Sequence, residues 1–226
     1  MDRVPNSRRL YTEDEYLALE RESQERHEYL DGLIYAVGES PYDCATANVA
    51  LASQYHSTIC TNLTIEIGSQ LKGRPCQLWT KGSRVLSGPI SESHYSAKGL
   101  DLFPDLVVVC GEPQLLDEHS DVLVNPRVII EVLSPTTEAF DRGEKFLHYR
   151  THLDSLTDYL VVDQRAPRIE HFERQANSQW VIAATATELS ETVEVSSIGC
   201  TLRLGEVYDR IAFLAPTDEA EGSLDS

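Results

Sequence analysis

Two segments are apolar at nearly every position: 106–110 (Leu-Val-Val-Val-Cys) and 128–133 (Val-Ile-Ile-Glu-Val-Leu). Uninterrupted apolar runs of this length predict strands buried on both faces. Residues 159–163 predict a third such strand. From 168 to 174, Ile169, His171 and Glu173 alternate with their neighbours, and 180–184 pairs with that segment as a meander. A last short strand is expected over 198–204. Earlier, 27–38 reads as a hairpin turning at Asp31-Gly32, and 76–80 and 83–86 are β candidates before a polar loop across 87–101.

Helical spacing appears in four places. Thr12 and Glu15 form a T-x-x-E capping box ahead of Tyr16, Leu17 and Leu19, which predicts a helix reaching about residue 25. Residues 43–63 place Ala45, Val49, Leu51, Ala52, Ile59 and Leu63 toward a sheet. A third helix follows Ser134-Pro135 and carries Asp141, Lys145 and Tyr149, and a closing helix spans 205–214. Strands and helices interleave, so the fold class is α/β (or α+β) around a central mixed sheet. At 226 residues the chain reads as one domain over 11–214, with a flexible leader (1–10) and an acidic flexible tail (215–226).

Composition narrows the classes. No apolar run approaches the roughly 18 residues of a membrane span, and the N-terminal residues lack the apolar core of a secretory signal. The five cysteines (Cys44, Cys60, Cys76, Cys110, Cys200) are widely spaced and odd in number. They read as reduced core thiols of a cytoplasmic protein, with no structural zinc site expected. Thirty-seven acidic residues against 19 basic ones give a net charge of −18. Such a surface repels a phosphate backbone, so any DNA contact would be weak and would need divalent cations, a local basic groove, or both.

The chemistry concentrates between Leu102 and Arg150. Asp105 follows Phe103-Pro104 at the entry to one apolar run, and Glu131 lies inside the other. A charge there is costly unless it is paired or holds a metal. Two carboxylates suit Mg²⁺ or Mn²⁺, and Lys145 follows on the next helix as a group able to orient water or neutralise charge. Glu28 is a candidate outer ligand. The structural alternatives are a strand-end Asp105 bonded to backbone, a Glu131 salt bridge to Lys145 or Arg127, a solvated Lys145 and a surface Glu28. Asp141 reads as a structural partner for a nearby donor. Arg74, Lys81 and Arg84 read as a solvated hairpin rather than a phosphate track. His27, His148 and His171 read as exposed or satisfied side chains. No P-loop, G-x-G-x-x-G or G-x-S-x-G is present.

Five ordered segments carry a family resemblance: Tyr11-Thr12 with Glu15-Tyr16-Leu17; Arg26 to Gly32; Phe103-Pro104-Asp105; Asn125-Pro126 with Glu131-Val132-Leu133-Ser134-Pro135; and Asp141-Arg142-Gly143 with Lys145 and Tyr149. Over residues 11–185 the chain resembles the Uma-two restriction-endonuclease family of the PD-(D/E)XK nuclease superfamily. That resemblance implies a restriction-endonuclease-like core and metal-dependent hydrolysis of DNA phosphodiesters, with Asp105 and Glu131 on the metal, Lys145 and Glu28 assisting, and a homodimer. Leu133 stands where the superfamily's lysine would be, and Lys145 fits a lysine displaced onto the following helix. Tyr42-Asp43 stand where the family often has a histidine. The second reading is an inactive nuclease scaffold serving as an interaction or regulatory protein.

Overall fold

Both uninterrupted apolar runs lie side by side within a six-stranded sheet. A computed structural model describes residues 9–36, 54–80, 82–88, 100–119, 121–135 and 137–213. In chain order it begins with α1 (Glu13–Glu22), β1 (His27–Leu30), β2 (Leu33–Ala36), α2 (Gln54–Leu71), β3 (Cys76–Thr80), β4 (Arg84–Ser87) and β5 (Leu100–Leu102). Next come β6 (Leu106–Cys110), β7 (Val122–Leu123), β8 (Val128–Leu133), α3 (Glu138–Phe140), a π-helical turn (Asp141–Lys145) and α4 (Phe146–His152). The chain continues through β9 (Asp158–Asp163), β10 (Arg168–Arg174), β11 (Trp180–Ala186), β12 (Thr192–Val195), β13 (Cys200–Arg203) and α5 (Leu204–Val207).

The main sheet has the order β11-β10-β9-β8-β6-β3, and a second sheet runs β2-β1-β5-β4-β7. β8 and β9 are parallel and joined by the helical crossover, while β6 is antiparallel to β8. Because strand side chains alternate, Leu106, Val108, Val128, Ile130 and Val132 pack with Ile59, Leu63 and Ile67 of α2. On the opposite face Val107, Val109, Ile129 and Leu133 pack with Phe146, Tyr149 and Tyr159 and reach Leu30 and Val85 of the second sheet. The two core layers thus sandwich the central strands, which explains why those runs carry no polar alternation.

Local chemistry sets the boundaries. Thr12 and Glu15 form the reciprocal capping box, and α1 ends at Glu22, where Ser23 turns extended, three residues short of the expected end. Asp31 and Gly32 both take positive φ, 46° and 91°, the backbone that a two-residue hairpin requires. The helix expected over 43–63 is found over Gln54–Leu71, because Ile67 and Leu71 continue the buried stripe of Ile59 and Leu63. Residues 43–53 lie outside the described region. The closing helix is a single turn, and Arg210 adopts a φ of 64° soon after it.

Two expectations are corrected. Cys76 and Cys110 form a disulfide, because they face each other directly across the antiparallel β3–β6 pair. Cys60 and Cys200 carry thiols; Cys44 is outside the described residues. Arg84 is buried rather than solvated: it donates to both carboxylate oxygens of Asp101 at 3.2 and 2.6 Å and to Asp121 at 3.0 Å. Arg74 spans to the carbonyls of Ile198 and Gly199, a tie between elements; Lys81 lies outside the described residues. Among the described residues no helix is long and apolar enough to cross a membrane.

Candidate active site

Register brings the two strand acids together. Leu106 pairs with Ile130 in the antiparallel β6–β8 ladder, so the next step outward sets Asp105 across from Glu131. The Asp105 amide points to Glu131 Oε2 at 3.4 Å, and Asp105 Oδ2 accepts from the Val132 amide at 3.0 Å. Both side chains are buried, at 7% and 3% exposure. Pro104 lacks an amide donor and suits the mouth of the strand, and Asp105 uses that end to bond across to β8.

Lys145 arrives from the crossover. Its ammonium lies 2.8 Å from Glu131 Oε1 and donates to Asp141 Oδ1 at 3.1 Å. The π-helical turn places Asp141 and Lys145 at its two ends, both facing inward and buried. Tyr159 fixes that turn by donating to the Asp141 carbonyl at 2.8 Å. Helical residues four apart share a face, so Asp141 holds the lysine while the lysine reaches the strand acid. Glu28 comes from β1 in the second sheet, and its charge is felt at Lys145 and Tyr149.

The electrostatics are unbalanced toward negative charge. Burial pushes the Glu131 carboxyl well above the carboxylate range; Lys145 opposes this, and Asp141 and Asp105 add to it. Burial alone would lower Lys145, yet the Asp141 and Glu131 charges outweigh it and hold the ammonium above its ordinary value. Lys145 answers Glu131 and Asp141, while Asp105 adds its charge beside Glu131, so a divalent cation there would relieve repulsion, and oxygen donors of this kind suit magnesium or manganese.

A profile described as "Putative restriction endonuclease", the Uma2 family, matches residues 13–204. The chain belongs to the Uma2 family. Two Synechocystis proteins (strain PCC 6803) are similar to it. Uncharacterized protein slr1290 is 31% identical over 201 residues, covering 88% of this chain and 92% of the relative. Uncharacterized protein sll1609 is 28% identical over 183 residues, covering 81% and 92%. A crystal structure from Anabaena variabilis, described as a putative nuclease belonging to DUF820, superposes with a TM-score of 0.64 at 20% identity. The match covers 88% of this chain and 98% of that one. The Uma2 chain accordingly has the mixed α/β, restriction-endonuclease-like fold.

One member of the constellation escaped sequence reasoning. His56, in the first turn of α2, sets its Nε2 3.1 Å from Asp105 Oδ2. No histidine stands at the Tyr42-Asp43 position where the Uma2 resemblance leads one to look, and both of those residues lie outside the described region. The available signal was His56-x-x-x-Cys60, whose four-residue spacing puts both side chains on one helix face. A search for histidine pairs passes over it.

Proposed function

We propose that this protein is a metal-dependent endonuclease that hydrolyses DNA phosphodiester bonds, with Asp105 and Glu131 as ligands of Mg²⁺ or Mn²⁺. The observation that carries the reading is Lys145, buried and 2.8 Å from a Glu131 that stands across the ladder from Asp105. When bound, the cation would polarise the scissile phosphate and lower the pKa of a water nucleophile. Asp105 is held by the Val132 amide and His56, so its carboxylate is presented in one orientation. Lys145, steadied by Asp141, places positive charge where the phosphoryl oxygens gain negative charge. Glu28 adds an outer carboxylate from the second sheet. A homodimer supplies one such site per strand, and weak binding to DNA follows from the acidic surface.

The test is supercoiled plasmid with purified protein and Mg²⁺ or Mn²⁺, beside Glu131→Ala and Lys145→Ala. Metal-dependent nicking that falls at least about 100-fold in both variants is expected, the size of effect when a positioned charged group is lost. No nicking by folded protein across metals would favour the scaffold reading, and nicking that survives both substitutions would place the site elsewhere.

A further inference from the structure

Cys60 takes no part in the proposed hydrolysis, yet it lies beside it. On α2 it is one turn beyond His56, and its Sγ is 3.6 Å from His56 Nδ1, while the other ring nitrogen faces Asp105 at 3.1 Å. One donor atom from each of the three residues lies within 4.8 Å of the other two. They line a cleft of about 330 Å³ together with Ser57, Thr61, Thr64 and Thr80, which gives an ion and its waters a route in.

We propose that His56, Cys60 and Asp105 form a second cation site, selective for borderline-soft divalent ions of the zinc class, that shares Asp105 with the hard-cation site. Metal–sulfur and metal–nitrogen bonds of about 2.3 and 2.0 Å at a tetrahedral angle separate N and S by about 3.5 Å, close to the 3.6 Å between Cys60 Sγ and His56 Nδ1. The two contacts use opposite ring nitrogens, so one ion bound by all three residues requires a rotation of the His56 ring that sets a single nitrogen between Cys60 and Asp105. Three protein ligands beside a cleft leave a fourth position for water. Thiolate and imidazole disfavour magnesium, whereas two carboxylates favour it, so the adjoining donor sets sort ions by softness. Only the consequence for cutting rests on the nuclease reading: zinc at this site draws Asp105 away and antagonises magnesium.

The experiment is titration of untagged protein with Co²⁺, followed by absorption spectroscopy. One equivalent should produce a sulfur-to-cobalt charge-transfer band together with intense tetrahedral d–d bands, and Zn²⁺ should bleach both. Cys60→Ser, which keeps the side chain's size, and Cys60→Ala should abolish the charge-transfer band. His56→Ala should weaken cobalt binding at least about tenfold. Circular dichroism shows that each variant is folded, and Cys44→Ala should leave the spectrum unchanged. A wild-type spectrum without the charge-transfer band, or a band that survives in both Cys60 variants, overturns the proposal. Glu131→Gln separates this site from the other one: it should lose nicking while keeping the cobalt spectrum, and loss of the cobalt spectrum there would refute two distinct donor sets.

Discussion

At the scale of single residues, the buried charges of this protein come in sets whose balance differs. Arg84 is bracketed by Asp101 and Asp121, so its cation is fully answered. Asp158 accepts from Ser197 and Thr157 and contacts His171 Nε2 at 2.7 Å, every partner favouring the ionised carboxylate. Around Glu131 and Lys145 the acids outnumber the cation instead. Burial alone would raise Asp158, but its hydrogen bonds to His171, Ser197 and Thr157 hold it below the usual value. A carboxyl depressed in the folded state stabilises above the unfolded pKa of about 3.9, and this contribution is lost as pH falls through the folded value. Asp158→Asn should therefore lower stability by about 3 kcal/mol at neutral pH and flatten the acid limb below about pH 4. Urea unfolding across pH checks this; an acid limb as steep as wild type would show that Asp158 does not carry it.

At the scale of elements, the strand pair β3–β6 is joined covalently by Cys76–Cys110, closing a loop with a sequence separation of 34. Removing that constraint should cost about 2–4 kcal/mol, chiefly by freeing the unfolded chain. Cys76→Ser with Cys110→Ser, or reductant on the wild type, should show this loss in denaturant unfolding. Equal midpoints with and without reductant would contradict it. Nicking should survive, because β6 remains paired with β8 on its other side. The elements that were legible in the sequence are those whose burial is one-sided or total. β6 and β8 announced themselves as apolar runs, α1 by its capping box, the first hairpin by Asp31-Gly32. Asp105 and Glu131 stood out because charge inside or beside an apolar run is conspicuous, and Lys145 only because it follows those two acids on the next helix. What was hidden depends on distant pairing or on too few residues. β7 has two residues, β12 alternates over only four, and the disulfide joins cysteines that only the sheet register makes neighbours. His56 meets Asp105 across 49 positions, a contact that no local pattern encodes.

At the scale of the molecule, a net charge of −18 sets the protein against itself as well as against nucleic acid. Self-repulsion is long-ranged and is screened over about 10 Å at 0.1 M salt. Raising ionic strength from about 0.01 to 0.15 M should thus raise the melting temperature, as read by calorimetry. A falling melting temperature would mean that local ion pairs, such as those of Arg21 with Asp117 and Asp121, outweigh the net charge. On the nuclease reading, the same acidity would confine useful attraction for a polyanion to the proposed cation sites. Substrate capture and catalysis would then depend on one loaded ion rather than on separate surfaces.

The crossover between β8 and β9 also acts as a gauge. Its ends are fixed by two parallel neighbours, so its length cannot drift without being absorbed somewhere inside. The wide turn at Asp141–Lys145 holds the slack. A chain shortened by one residue there could relax into an ordinary α-helix and keep its fold. Each residue of an α-helix, however, advances the side-chain direction by roughly 100°. The relative direction of Asp141 and Lys145 would change, and with it the contact of Lys145 to Glu131 and Asp141. On the nuclease reading, a single deletion at this turn would separate the fold from its chemistry.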